Sequence, residues 1–223
     1  MKVWKKMIPF RTSGAARMIF CYDVRMAWII VGLGNPGEDY IDTRHNTGRM
    51  AVERFAKKYK LDAWKSDKIA RAMVARGMVD GIAVVCVLPE TFMNKSGLSV
   101  ATFVKNEKAA ERCVVLYDDL DIGLGGAKMS FNRGSGGHKG IESIARSLKT
   151  KAFWRIRIGI SPTTPTGKMK KPKGEEEVME FILKKFKPSE IATLEGVFKR
   201  TNDALVTTVI DGGLKAMNAF NTA

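Results

Sequence analysis

An apolar run that ends abruptly constrains the fold of this chain more than any other feature. Residues 28–31 are apolar and partly β-branched, which is typical of a buried central strand in a parallel or mixed sheet. Three glycines and a proline within residues 32–37 then predict an irregular backbone at the carboxyl end of that strand. Because open α/β sheets place their sites at this edge, we expect the chemistry of the chain to lie in residues 32–46.

The letters of this loop also match the G-x-G-x-x-G fingerprint of dinucleotide-binding proteins. That fingerprint requires a helix that opens on its third glycine. Between Gly37 and Arg49 the only apolar residues are Tyr40 and Ile41, so no apolar stripe is available for a helix to bury. We therefore disfavour dinucleotide binding and keep a nucleotide-dependent oxidoreductase only as an alternative.

Strand-like and helix-like segments alternate along the rest of the chain, apart from one hairpin that turns at Asp80 and Gly81. Strands are predicted at residues 28–31, 71–88 (the two arms of the hairpin), 113–117, 127–131 and 153–160. Helices are predicted at residues 47–60, 98–104, 141–148 and 189–212, with a short helix after them. This alternation predicts a single-domain, three-layer α/β/α fold on a mixed, mostly parallel sheet.

Two of these strands carry polar residues that we expect to face solvent or to end the strand. The strand at residues 113–117 should stop at the acidic cluster that Asp118 begins, and Arg155 and Arg157 should give residues 153–160 one wet face. Residues 162–173, rich in proline and lysine, predict a mobile basic loop that either contacts a polyanion or serves as a solvated linker.

Charge and cysteine content restrict the class of partner. Lys and Arg number 38 against 23 acidic residues, a net charge of +15, which favours a nucleic-acid partner unless the charge only solvates the surface. No apolar run approaches the ~18 residues of a membrane span. Cys21, Cys86 and Cys113 are widely spaced and odd in number, so we expect reduced residues in a cytoplasmic protein and no metal site.

The first 25 residues differ in composition from the rest, with six basic residues and one acid, Asp23. An organelle transit peptide is one interpretation of such a leader. We favour a translation start placed too early, because Met26 directly precedes the first strand and would begin a complete domain. Residues 1–25 are therefore treated as a basic extension, disordered or not native, and residues 26–223 as the domain.

The chain has two histidines, and both lie in polar loops that follow strand-like segments. A neutral imidazole at His45 could take a proton from water if another group fixes its tautomer, and Asp118 could accept from one ring nitrogen. Asn35 and Asn94 offer amides for a substrate carbonyl or the water, although Asn35 next to Pro36 is also a turn signal. With no G-x-S-x-G serine, hydrolysis of an ester by water is the favoured reaction.

The chain resembles the bacterial-type peptidyl-tRNA hydrolases in four spaced motifs, GLGNPGEDYIDTRHNTG, ETFMNKSG, YDDLDIGLG and GSGGHKG. RIRIGI and DGGLKAMNAF extend the resemblance to the C-terminal region. It implies hydrolysis of the ester that joins a peptide to the 3′ end of tRNA, without a cofactor or a metal. It also implies a cytoplasmic monomer with no obligate protein partner and no membrane contact.

By motif position, the resemblance makes His45 the catalytic base and Asp118 the residue that orients it. Asn35 would distinguish N-blocked peptidyl-tRNA from free aminoacyl-tRNA. The roles agree with the chemistry of the residues, since an imidazole activates water and an amide binds an acyl group without a change of charge.

Tyr40, Phe92 and Asn94 match family positions that contact the tRNA end or the peptide, and His138 matches a supporting position. Lys139 departs from the pattern, because the family usually has Asn there. An ammonium donates hydrogen bonds but cannot accept them, so we expect Lys139 to contact tRNA phosphate. A binding module that holds RNA without turnover, with Lys139 marking the lost activity, is the alternative.

Overall fold

The first apolar run forms the central strand of the sheet, as predicted. In the computed structural model, which describes residues 27–164, 166 and 168–222, strand β1 (Trp28–Gly32) is buried along its whole length. It pairs in parallel with one strand on each side, so both of its edges are hydrogen-bonded. The predictions for residues 1–25 and for Cys21 lie outside the described residues.

Within the described residues, seven strands form one sheet in the order β2-β3-β4-β1-β5-β7-β6. The six strands besides β1 are β2 (Lys65–Asp67), β3 (Ala72–Val79), β4 (Ile82–Pro89), β5 (Cys113–Gly123), β6 (Ala127–Phe131) and β7 (Trp154–Ser161). The four central strands β4, β1, β5 and β7 are mutually parallel, and the pairs β2-β3, β3-β4 and β6-β7 are antiparallel. The sheet is therefore mixed, with a parallel centre.

Helices cover both faces of this sheet. They are α1 (Thr47–Lys58), α2 (Ser96–Phe103), α3 (Glu107–Ala110), α4 (Lys139–Leu148), α5 (Glu175–Leu183), α6 (Pro188–Asp211) and α7 (Gly213–Thr222). One apolar cluster joins the strands to Phe55 of α1 and Leu194 of α6. A second cluster, on the opposite face, joins them to Val100 of α2 and Ile141 of α4. The predicted three-layer α/β/α domain is confirmed.

The β3-β4 hairpin forms where the sequence predicts it. Asp80 and Gly81 have φ values of 49° and 77°, and positive φ at both central residues is the signature of a type I′ turn. The hairpin places β4 beside β1, so the chain that leaves β4 emerges at the same edge of the sheet as the chain that leaves β1.

Two predictions about strand β5 and strand β7 are wrong. Strand β5 does not stop at Asp118, because Asp118 and Asp119 continue the parallel ladder with Ile158 and Gly159. The predicted solvent-exposed face of β7 is also wrong, since every residue of that strand is buried.

Other parts of the chain, and not water, surround the arginine side chains of β7. The Arg155 guanidinium donates to the carbonyl oxygens of Arg133 and Lys151, and Arg157 pairs with Asp119 at 2.7 Å. A charged side chain can be buried when hydrogen bonds satisfy it. Alternation of residue types along β7 did not reveal this, because the partners come from distant segments.

The prediction of unpaired cysteines is confirmed for the two that the structure describes. Cys86 and Cys113 are buried free thiols, and burial raises the pKa of Cys113 to about 12, so that thiol stays protonated at neutral pH. No helix among residues 27–164, 166 and 168–222 is long and apolar enough to cross a bilayer.

Gly97 fixes how closely α2 packs on α4. A Cβ atom at Gly97 would lie 2.2 Å from the carbonyl oxygen of Ser143, so we expect Gly97→Ala to lower the free energy of unfolding by about 1–3 kcal/mol. Gly196, exposed in α6 with no atom within 4 Å of an added Cβ, is the matched control. Gly196→Ala should raise the free energy of unfolding by about 0.5–1 kcal/mol.

Urea denaturation of the two variants measures both changes. Equal effects at the two positions would show that the contact between α2 and α4 is not close-packed.

Candidate active site

The ladder between β1 and β5 ends where the polar loops begin. Gly32 is the last residue of β1 that pairs with β5, opposite Leu116, and the Leu33 amide donates once more to the Leu116 carbonyl at 3.0 Å. Strand β5 continues beyond this point, so Asp118 faces the loop that follows β1. The structure thus brings the predicted loops to one edge of the sheet.

Asp118 holds two histidines from different loops. Nδ1 of His45 lies 3.1 and 3.0 Å from the two carboxylate oxygens, and Nε2 of His138 lies 3.1 Å from Oδ1. His45 and Asp118 are 8% and 4% exposed, so little water competes for these bonds. His45 and Asp118 are 73 positions apart in the chain, and only the fold makes them neighbours.

The hydrogen bonds define the tautomers of the two rings. His45 donates from Nδ1 to the carboxylate, which leaves Nε2 as the nitrogen that can accept a proton. His138 lies at the N-terminus of α4, where its Nδ1 accepts from the backbone N–H groups of Gly140 and Ile141 at 3.2 and 3.4 Å. Its proton is therefore on Nε2, the nitrogen that donates to Asp118.

The Asp118 carboxyl is ionised throughout the physiological range. Burial raises its pKa, but attraction to His45 and His138 and the hydrogen bonds from both rings outweigh that effect. The resulting pKa lies well below the usual range of an aspartate. A permanently charged carboxylate at this position can orient an imidazole and stabilise an imidazolium.

Asn35 is held at both its backbone and its side chain. Its backbone N–H donates to Oδ1 of Asn46 at 2.8 Å, and its carbonyl accepts from Nδ2 of Asn46 at 3.0 Å. Its own Oδ1 accepts from the Met93 backbone N–H at 2.9 Å. The side chain is thus fixed with its donor, Nδ2, available for a ligand.

Sequence reasoning missed the role of Asn46 in this arrangement. Asn46 occupies the N-cap position of α1, but its side chain makes no capping hydrogen bond and holds Asn35 instead. A second asparagine within the same polar loop was the available signal. Met93 was also missed, because a backbone donor leaves no signature in the sequence.

Tyr40 and Phe92 form an aromatic pair at the edge of the site, with ring centroids 6.5 Å apart and the rings nearly perpendicular. Phe92 is 59% exposed, so its ring can be covered by a ligand. Asn94 is exposed, and among the described residues its side chain has no hydrogen-bond partner. Nothing in the structure ties Asn94 to the histidines.

Lys139 is the first residue of α4, directly after His138. Its ammonium lies 3.3 Å from Glu175 at the start of α5, and both side chains are largely exposed. An exposed ion pair of this kind contributes little to stability, so it leaves Lys139 able to exchange its partner.

Arg44 anchors the turn that carries His45. Its Nη2 atom lies 3.0 and 2.9 Å from the two oxygens of the Glu190 carboxylate, and its guanidinium carbon lies 4.5 Å from the ring centroid of Phe181. The guanidinium also donates to the Lys184 and Lys185 carbonyls. Arg44 therefore ties the turn that carries His45 to the region around α5 and α6.

Helix α5 is not among the predicted helices, although its sequence carries a signal. Gly174 precedes three glutamates in the first turn of α5, which suits the positive end of a helix dipole. Val178, Phe181 and Ile182 then follow at helical spacing. The short length and the neighbouring proline-rich segment made this pattern easy to assign to a loop.

The three ligand atoms of His45, Asp118 and His138 lie within 4.8 Å of one another, which is a spacing that a metal ion could use. In this structure they satisfy one another. Each imidazole directs a protonated nitrogen at the carboxylate, at hydrogen-bond distances of 3.0–3.1 Å, whereas a metal ligand must offer a lone pair.

A cavity of about 260 Å³ opens beside Asn35, between the loop after β1 and helix α1. Its walls include Asn46, Arg49 and Glu53. Another cavity, of about 270 Å³, lies between α1 and α6. Its walls include Arg54 and Phe198, and none of the predicted site residues lines it. Only the first adjoins the site.

Fold and site together define the class of this protein. It is an α/β domain in which a buried carboxylate orients an imidazole at the carboxyl edge of a parallel sheet, an arrangement suited to the activation of water. This class is reached from geometry alone.

Comparison with known proteins identifies the family. The model of the family described as peptidyl-tRNA hydrolase matches residues 29–223. The chain is similar to the peptidyl-tRNA hydrolase of Herpetosiphon aurantiacus, with 40% identity over 87% of this chain and 90% of the relative. It is similar to that of Brevibacillus brevis, with 36% identity over 87% of this chain and 97% of the relative.

Solved structures agree. The crystal structure of peptidyl-tRNA hydrolase from Acinetobacter baumannii has a TM-score of 0.76 and 33% identity, covering 89% of this chain and 95% of that one. A peptidyl-tRNA hydrolase complex with N-propanol has a TM-score of 0.77 and 34% identity, with the same coverage. The chain belongs to the peptidyl-tRNA hydrolase family.

We expect Arg44→Lys to lower the free energy of unfolding by about 2 kcal/mol or more, because a single buried ammonium cannot donate to Glu190 and to the carbonyls on the other side of the guanidinium at the same time. Arg54 is the matched control, since it also pairs with a glutamate and stacks on a phenylalanine but is far more exposed. Arg54→Lys should change the free energy of unfolding by about 1 kcal/mol or less. Equal losses, measured by urea denaturation, would show that burial of the Arg44 pair is unimportant.

Proposed function

We propose that this chain hydrolyses the ester between the peptide and the 3′ end of tRNA, with His45 as the general base. The observation that carries the proposal is the hydrogen bond from His45 Nδ1 to a buried, ionised Asp118. That bond fixes the ring so that Nε2 is the basic nitrogen, which is the condition for proton abstraction from water.

The reaction proceeds in two steps. Nε2 of His45 takes a proton from a water molecule while the water oxygen bonds to the acyl carbon of the ester. The tetrahedral intermediate then expels the ribose oxygen of the tRNA, which takes the proton back from the imidazolium. Asp118 stabilises the imidazolium between the steps. The products are a tRNA with a free hydroxyl and a peptide carboxylic acid, which releases its proton to water.

Asn35 is assigned the recognition of the blocked substrate. Because its Oδ1 is occupied by the Met93 amide, only the donor Nδ2 remains for a ligand. That donor can bind the carbonyl oxygen of an N-acyl group, but it offers no acceptor to the ammonium of a free aminoacyl-tRNA. The site would therefore select the N-blocked substrate over the free aminoacyl-tRNA.

The remaining site residues are assigned to the two ends of the substrate. The Tyr40 and Phe92 rings provide a flat surface on which the terminal base or a peptide side chain can stack. Asn94 is placed at the acyl group and Lys139 at a tRNA phosphate, where the Lys139 ammonium would leave Glu175 for the stronger charge. His138 supports the pair.

We place the enzyme in the cytoplasm as a monomer. The buried free thiols suit a reducing compartment, and a net charge of +15 suits attraction to tRNA from solution. Gel filtration with light scattering tests the monomer assignment, and a dimer mass would overturn it.

Incubation with N-blocked aminoacyl-tRNA and with the free aminoacyl-tRNA tests the function. We expect release of the acyl group only from the blocked substrate. Binding without release would favour an RNA-binding module that lacks turnover. Absorbance from a bound dinucleotide in the purified protein would instead support the oxidoreductase alternative.

The base assignment is tested by His45→Ala, which should lower hydrolysis by about 10²-fold or more, as expected for loss of a general base. Binding of uncharged tRNA should change little, because His45 contacts no phosphate-binding residue. The protein should still fold, since His138 continues to donate to Asp118, although the loss of one donor to a buried carboxylate should lower the melting temperature. Turnover that survives in the alanine variant would remove His45 from the mechanism.

The basic segment of residues 162–173 is tested by changing Lys168, Lys170, Lys171 and Lys173 to Gln. All four are exposed, although Lys171 also pairs with Asp121. If they meet tRNA phosphate, the variant should bind tRNA more weakly and with a shallower dependence on salt, since fewer counterions are released. A slope that matches the unchanged protein would assign these lysines to solvent.

A further inference from the structure

One carboxylate serves two imidazoles in this site, and only one of the two is needed as a base. Oδ1 of Asp118 accepts from His45 at 3.1 Å and from His138 at 3.1 Å. The ring centroids of the two histidines are 5.1 Å apart. His138 is therefore close enough to change how strongly the Asp118 carboxylate attracts a proton on His45.

His138 cannot switch its tautomer freely, because its other ring nitrogen, Nδ1, already accepts hydrogen bonds. Nδ1 accepts from the Gly140 and Ile141 amides at the first turn of α4. A proton on Nδ1 would break both bonds and place a positive charge at the positive end of the helix dipole. In this geometry His138 donates from Nε2 to Asp118.

Among the residues that the structure describes, Asp118 is the only charged side chain that hydrogen-bonds to the His138 ring. Tyr117 of β5 packs its ring edge-on, with centroids 4.8 Å apart, and burial raises the pKa of Tyr117 to about 12, so the phenol is neutral. The adjacent Lys139 directs its ammonium at Glu175. His45, from the turn after β1, completes the surroundings.

We propose that His138 is a positioning residue that tunes the basicity of His45 through the shared Asp118 carboxylate. A neutral donor on Oδ1 stabilises the carboxylate charge and leaves less of it to attract a proton on His45. The imidazolium form of His45 is then favoured less than it would be beside an unshared aspartate. His45 stays unprotonated, and able to act as a base, to lower pH.

The proposal rests on His45 as the base of the proposed function, and one variant separates it from a capping role. Asparagine is a preferred N-cap residue, so His138→Asn can still accept from the Gly140 and Ile141 amides, but its shorter side chain withdraws the donor from Asp118. His138→Ala removes both contacts. Comparison of their melting temperatures shows how much stability the cap provides.

The decisive measurement is the pH profile of kcat/KM for His138→Asn. We expect its acidic limb to move to higher pH by about 0.5–1 unit. Activity at pH 6 should fall about 3–10-fold relative to the unchanged protein, while activity near pH 8 changes much less. An acidic limb that stays in place, with activity lost equally at every pH, would reduce His138 to a structural cap and overturn the proposal.

A second measurement does not depend on turnover. The chain has only two histidines, so in untagged His138→Asn protein His45 gives the only imidazole signals. Titration by NMR should show that His45 protonates at higher pH in this variant than in the unchanged protein, where His45→Ala assigns the signals. If the titration of His45 is the same in both proteins, the tuning by His138 is wrong even if hydrolysis occurs. If the titration of His45 moves but the unchanged protein does not hydrolyse the substrate, only the proposed function is wrong.

Discussion

The buried charge of Asp118 is the constraint on which the rest of the site depends. A carboxylate that is 4% exposed has lost its water, at a cost on the order of several kcal/mol unless other donors replace it. Here the replacements are two imidazole N–H groups, from the turn after β1 and from the start of α4. The same bonds that satisfy the charge draw these two loops together and fix both rings.

A second set of contacts holds these loops against the sheet. The Asn46 amide holds the backbone of Asn35, and the Asn35 side chain accepts from the Met93 backbone N–H, so hydrogen bonds join the loops after β1 and β4. Arg44 connects the same region to Glu190 at the start of α6. Rigid support of this kind keeps reacting groups in a productive geometry, and it explains the density of polar residues between positions 35 and 46.

Sequence patterns predicted the framework well and the polar segments poorly. Apolar runs and the Asp80-Gly81 turn gave the strands, the hairpin and most helices, because these signals are local. The end of β5 and the exposure of Arg155 were wrong for one reason. Both were judged from residue type, while their burial depends on partners such as Arg157 for Asp119 and the Arg133 carbonyl for Arg155, which lie 38 and 22 positions away.

The sequence by itself determined the parallel centre of the sheet, the polar segments that carry His45 and His138, and the motifs of the family, since strand periodicity and loop composition are local properties of the chain. Only the tertiary structure decided that Asn46 serves Asn35, that Arg44 is an anchor, and that one carboxylate is shared by two imidazoles. Hydrogen bonds of about 3 Å between side chains 20 and 73 positions apart depend on how the strands pair and where the helices pack. No local pattern specifies distances of that kind.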